Sequence, residues 1–237
     1  KSVTGTVVSA EGQTPTLPVM ARLAENLEPG NHRININQEE SSGIENSSRY
    51  VGELFRVYAK RENIAGAGKI SLRQIPENLA PFYIHHSSKT LAEMIGPLML
   101  YSNNFIANQL FLVLGAHEAG FPATWEKSTQ AMADYLQQKH KLSQNEIKII
   151  EGSGLSRKNR VSPHAMIRLL DSFRPYAEFL PRENSRLLKS GTLQGVYTFG
   201  GYFMENQSLD SFVLLLNQGQ NNRDRVLAEL EKIYRAH

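Results

Sequence analysis

The sequence predicts an α+β fold in which an antiparallel sheet is flanked by helices. Three observations carry the expectation. Residues 90–140 hold apolar residues at helical spacing behind recognisable caps. The stretch LLKSGTLQGVYTFGGYF at 187–203 is followed, across MENQ, by LDSFVLLLNQ, which reads as two consecutive strands joined by a turn. An amphipathic helix over about 222–236 closes the chain, with Val226, Leu227, Leu230, Ile233 and Tyr234 on one face.

In chain order, VTGTVVSA and HRININQ read as strands separated by a turn at EPGN. The polar run QEESSGIENSS (38–48) reads as a linker, and a helix follows with Ser47 or Ser48 as its cap. AGAGKISLRQI reads as a turn and a short strand. Thr90 and Glu93 have capping-box spacing before LAEMIGPLML, where Gly96-Pro97 predicts a kink. FIANQLFLVLG (105–115) is apolar on nearly all sides and predicts a buried helix ending at Gly115. A further helix follows Pro122, EIKIIEG reads as a strand, and Ser162-Pro163 supplies a cap and first position for PHAMIRLLDSF. Residues 1–46 are therefore expected to be the end of a small β module with its linker, and 47–237 the main α+β body.

Composition excludes several function classes. The 237 residues carry 26 Lys and Arg against 23 Asp and Glu, with no dense basic run, so no nucleic-acid footprint is indicated. Without cysteine there is no thiol nucleophile, disulfide or cysteine-based zinc site. No uninterrupted apolar run of about 18 residues marks a transmembrane helix. His85 and His86 are adjacent, so their side chains diverge in an extended segment, and His117-Glu118 lacks an H-E-x-x-H partner, so neither reads as a metal site.

Three short stretches have chemical meaning. Ser102-Asn103-Asn104 sits between two helices, either as a polar loop facing a cleft or as a helix cap at Asn103 or Asn104. EGSGLSRKNR (151–160) sets two glycines around a serine, as a tight turn does. Lys189-Ser190-Gly191-Thr192 puts a lone lysine at the head of an otherwise uncharged strand. A glycine there lets a ligand approach the backbone, and the lysine is either a carboxylate partner or an ordinary edge-strand lysine.

The order S-x-N, GSGLSR, K-S-G-T resembles the penicillin-recognising serine enzymes, whose boxes are S-x-x-K, S-x-N and K-[TS]-G. GSGLSR and KSGTLQGVY resemble more closely the D-alanyl-D-alanine carboxypeptidase/endopeptidase family, the class C low-molecular-mass penicillin-binding proteins, over about 47–237. The resemblance implies a β-lactamase/transpeptidase-like domain and a serine-type peptidase acting through an acyl-enzyme on peptidoglycan stem peptides, with no metal or cofactor. It also implies β-lactam binding and a periplasmic or other extracytoplasmic location. It assigns proton relay to Ser102 and substrate-backbone binding to Asn104. Lys189 supplies positive charge, the Ser190 and Thr192 hydroxyls bind the substrate carboxylate beside Gly191, and the Thr192 N–H is half of an oxyanion hole. The sequence departs from the family in three ways. No lysine has a serine three residues before it; the nearest match is Thr124 before Lys127, at the start of the helix after Pro122, where Thr124 reads better as a helix cap. The expectation is that the chain is the C-terminal part of a longer protein whose N-terminal segment carries the S-x-x-K box, so the chain alone is inactive. The run before Lys189 is short for the family, and Asn103 replaces the commoner middle Asp. The rival expectation is a non-catalytic peptidoglycan-binding or scaffolding protein with a dead peptidase-like cleft.

Overall fold

A computed structural model describes residues 7–9, 12–14, 17–30, 43–66, 68–73, 76, 79–80, 82–206 and 208–236. The chain divides into two compact units, 1–86 and 87–237. The boundary expected at 46/47 lies within a helix of the first unit.

The first unit begins with the antiparallel pair β1 (Val7–Ser9) and β2 (Gly12–Thr14). Helices α1 (Pro18–Leu23) and α2 (Gly43–Arg61) follow. The expected strand HRININQ lies outside the described residues. The run read as a linker is helical from Gly43, so Ser47 and Ser48 lie inside α2 rather than capping it. Tertiary partners account for the difference. Asn46 is buried and accepts a hydrogen bond from Arg22 Nη2 at 2.7 Å. Glu53 is buried too, and its carboxylate accepts from the Val19 N–H at 3.0 Å, a donor at the start of α1 that no side chain of Leu17 can satisfy. Leu17, Val19 and Met20 pack against Leu23, Tyr50, Leu54 and Val57. No strand forms among the described residues of AGAGKISLRQI.

The second unit opens with α3 (Leu91–Tyr101), whose Thr90–Glu93 capping box is complete. The helix runs on through Gly96 and Pro97 to Tyr101. Next come α4 (Asn104–Ala119) and α5 (Trp125–His140). Gly115 does not end α4. It lies where α5 crosses, and a Cβ there would approach Ser128 Cα to 2.6 Å, so the position needs glycine for close approach and α4 continues to Gly120. Nor is α4 buried all round: only Phe111, Gly115 and Ala116 are, whereas Phe105 and Val113 are exposed.

The short strands β3 (Ile147–Lys148) and β4 (Arg160–Val161) pair antiparallel. Then come α6 (Pro163–Phe173), capped by the Ser162 side chain, and a 3₁₀ segment at 174–179. Strands β5 (Arg182–Glu183), β6 (Arg186–Leu193), β7 (Val196–Glu205) and β8 (Ser208–Asn217) form one antiparallel sheet in that spatial order. Helix α7 (Arg223–Arg235) ends the fold.

The stretch 187–203 is thus a hairpin, not one strand. It turns at Gln194-Gly195, where Gly195 adopts φ +75°, and Leu193 pairs with Val196. Only its second half, β7, lies beside β8. Strand alternation divides the sheet's side chains between two layers. Leu188, Phe199, Phe203 and Phe212 pack with Leu227, Leu230 and Tyr234 of α7. Leu187, Tyr202, Leu209 and Val213 pack with Leu170, Met166 and Phe173 of α6 and with Ala177 and Leu180. Ile233, expected on the buried face of α7, is exposed. Among the described residues no helix is long and apolar enough to cross a membrane.

Candidate active site

The α3–α4 junction and the β6 edge meet. Ser102 ends α3 in the left-handed conformation (φ 53°, ψ 53°), and Asn103 caps α4 by accepting from the Ile106 N–H at 3.1 Å. The two readings of Ser102-Asn103-Asn104 are therefore compatible: Asn103 is the cap, and the tight junction turns the Ser102 hydroxyl toward the sheet. Lys189 Nζ donates to that hydroxyl and, at 3.0 Å, to the Ser190 carbonyl. Ser102 and Lys189 are both half-buried. Asn104 is half-buried at the first turn of α4 and makes no side-chain hydrogen bond among the described residues.

The edge of β6 is open beside them, because β5 pairs only with Arg186 and Leu187. The Leu188 N–H still reaches the Pro181 carbonyl on that side, at 2.9 Å. By strand alternation the N–H groups of Ser190 and Thr192 point to the same outer edge, past the end of β5. Ser190 and Thr192 are exposed, and a Cβ on Gly191 between them would meet Thr198 Oγ1 of β7 at 2.5 Å, so the two strands need glycine there to pack closely. An exposed row of strand N–H groups, an ammonium and a hydroxyl are hydrogen-bond donors of the kind that an extended chain carrying negative charge can accept from.

The GSGLSR segment is ordered by one carboxylate. Glu151 accepts from the Ser153 N–H at 2.8 Å and its hydroxyl at 2.5 Å, from the Ser156 N–H at 3.2 Å and from Asn159 Nδ2 at 2.7 Å. Burial pushes the Glu151 carboxyl up, but these hydrogen bonds outweigh it and hold the group below the usual carboxylate range. Asn108 of α4 braces the same turn, its Oδ1 accepting from the N–H groups of Gly152 and Ser153 at 2.8 and 3.0 Å. Arg157 then donates to the Gln194 carbonyl, at 2.6 Å, in the turn after β6.

Three contributors escape sequence reasoning. Asn108 has a faint signal, an amide inside an otherwise apolar helix. Glu151 stands at the head of a motif whose glycines draw the attention. Arg223, at the start of α7, has none: its Nη1 donates to the Gly191 carbonyl at 3.0 Å and to Thr192 Oγ1 at 2.8 Å, from more than thirty residues away. Among the described residues no group of three or more His, Cys, Asp or Glu side chains could hold a metal ion.

Comparison with known proteins agrees with this architecture. The model of the D-Ala-D-Ala carboxypeptidase 3 (S13) family matches residues 33–180. The D-alanyl-D-alanine carboxypeptidase DacB of Haemophilus influenzae is 27% identical over an alignment of 190 residues that covers 70% of this chain and 39% of that protein. The crystal structure of penicillin-binding protein 4 from the same organism superposes with a TM-score of 0.62 at 25% identity, over 74% of this chain and 44% of that one. Its complex with a β-lactam gives 0.59 at 25% identity, over 73% and 45%. The chain spans about two fifths of the length of that curated relative.

Proposed function

The chain belongs to the D-Ala-D-Ala carboxypeptidase 3 (S13) family, and from that premise we propose that it is the part of a serine-type D-Ala-D-Ala carboxypeptidase/endopeptidase that carries two of the three catalytic boxes. The observation that carries the reading is the hydrogen bond from Lys189 to Ser102, which joins the α3–α4 junction to an open strand edge. The substrate is a peptidoglycan stem peptide, and β-lactams occupy the same edge. The protein therefore works outside the cytoplasmic membrane. The nucleophile is the serine of a Ser-x-x-Lys box outside residues 1–237, because no lysine here follows a serine by three positions. The first unit contains the end of a domain inserted between that box and Ser102, which the sequence places in residues 1–46.

In this mechanism the substrate's last residues lie along β6. Asn104 holds the peptide backbone, and the terminal carboxylate meets the Ser190 and Thr192 hydroxyls near the Lys189 ammonium. The Thr192 N–H helps to stabilise the oxyanion as the nucleophile adds to the carbonyl. Ser102, with Lys189 behind it, passes a proton to the departing D-alanine. The acyl-enzyme is then hydrolysed, and a β-lactam stops at that stage.

The test is labelling with a fluorescent penicillin. The complete gene product is expected to be acylated on a serine of an upstream Ser-x-x-Lys box, and residues 1–237 alone are not. An adduct on Ser102, Ser153 or Ser190 overturns the assignment of the nucleophile. A complete product that takes no label and releases no D-alanine is instead the dead-cleft binding protein.

A further inference from the structure

Among the described residues, Arg223 is the one guanidinium that hydrogen-bonds the K-S-G-T segment. It opens α7, is half-buried, and lies with its guanidinium carbon 4.5 Å from the centre of the buried Phe199 ring. Nη1 bridges the Gly191 carbonyl and the Thr192 hydroxyl oxygen. Its Nε is buried with no hydrogen-bond partner. A lone Nε–H without an acceptor is costly, so the side chain is held by its other contacts: the ring of Phe199 on its face and the two oxygens at its tip.

The chemistry of the Thr192 hydroxyl follows from that contact. A guanidinium can only donate, so in its hydrogen bond with Arg223 the hydroxyl oxygen is the acceptor. The hydroxyl's own hydrogen must then point away from Arg223. Thr192 is exposed and its N–H faces the open edge of β6, so the hydrogen has an anionic ligand at that edge as its natural acceptor. Without Arg223 the hydroxyl is free to rotate and to donate back to the Gly191 carbonyl or to water. We propose that Arg223 is a positioning residue that fixes the Thr192 hydroxyl as a donor to a ligand carboxylate. It does so through Thr192 and does not itself touch the ligand. This rests on the carboxylate-binding role proposed above for the K-S-G-T segment.

The test compares acylation of the complete gene product by benzylpenicillin and by its methyl ester, which lacks the negative charge. The proteins are the wild type, Arg223→Ala, Arg223→Lys, Thr192→Val and the Arg223→Ala/Thr192→Val pair. The readout is the ratio of the two second-order rates, because a variant that merely loosens the fold lowers both together. The wild type is expected to prefer the free acid, and Arg223→Ala and Thr192→Val each to lose about tenfold or more of that preference, the value of one charge-assisted hydrogen bond. The double variant loses no more than either single one, because Arg223 acts through Thr192. Arg223→Lys recovers part of the preference. Arg223→Ala with the full preference and a lowered melting temperature makes the arginine structural and overturns the inference. Losses that multiply in the double variant also overturn it, since Arg223 then acts on the ligand directly. A wild type that is acylated without preferring the acid removes the inference and leaves the acyl-enzyme reading standing. A wild type that is not acylated at all removes both.

Discussion

Lys189 illustrates how much one side chain's role depends on its partners. Taken with its own strand it is an edge lysine, and such residues are mostly solvated and energetically minor. Here it is half-buried, and its ammonium is shared between the Ser102 hydroxyl and the Ser190 carbonyl. Replacing it with alanine removes a charge-assisted contact worth about 1.5–3 kcal/mol. On the proposed peptidase reading, Lys189→Ala in the complete protein is expected to lower kcat/KM for acylation by D-Ala-D-Ala peptides by about 10- to 150-fold, with little change in melting temperature. Lys189→Arg keeps more ligand binding than turnover, because a planar, permanently charged guanidinium answers a carboxylate but does not reproduce the ammonium's contact with Ser102. Steady-state kinetics with parallel thermal melts decide the matter. Unchanged acylation with a melting temperature lowered by several degrees makes the lysine structural.

At the scale of elements, the loop between β3 and β4 is the clearest case of order imposed by a single charge. Both Glu151 oxygens are occupied by donors of the loop itself. Its folded-state pKa lies below the ordinary value. The stability this gives is therefore fully present above the unfolded carboxylate range, about pH 4.3, and is lost as pH falls through the lower folded value. Glu151→Gln is expected to lower the melting temperature at pH 7, by the loss of about 1–3 kcal/mol in hydrogen bonds to a charged group. The gap between the two proteins should close as the pH falls from 5 toward 3. A gap that stays constant across that range removes the carboxylate's charge from the explanation. The same scale shows where the sequence was legible. Caps were: Thr90, Asn103, Thr124 and Ser162 each bond the backbone close by, and local chemistry is written locally. The Gln194-Gly195 turn was not, because TLQGVY keeps strand composition on both sides of a single glycine. The helical start at Gly43 was hidden because its polar residues are satisfied by Arg22 and Val19, partners more than twenty residues away. Ser102 and Lys189 could be picked out as candidates by motif order, but they lie 87 positions apart and meet only through the fold between them, and Arg223 carries no motif at all.

For the whole molecule, the open question is what covers its apolar surface. α3 is one of the most apolar segments of the chain, LAEMIGPLMLY, yet none of its side chains is buried. Leu91, Leu100 and Tyr101 are exposed on it, as are Phe105 and Val113 on α4. In the first unit Phe82 is fully exposed, and Tyr83 and Ile84 are largely so. Isolated apolar residues on a surface are ordinary, but a contiguous apolar patch larger than a few hundred Å² normally marks a surface made for a partner. The proposed upstream segment is the natural occupant, because the chain spans about two fifths of the curated relative's length and the proposed nucleophile must come to the Ser102–Lys189 junction, where α3 ends. Residues 1–237 alone are therefore expected to bind an apolar dye strongly and to self-associate as concentration rises. The complete gene product should bind less dye per mole, and the amides of α3 should exchange with solvent more slowly in it. Dye fluorescence, light scattering and hydrogen exchange on the two proteins test this together. Equal dye binding and equal α3 exchange in both would mean that the upstream segment leaves α3 uncovered, and the nucleophile's approach would then have to come from another side of the junction.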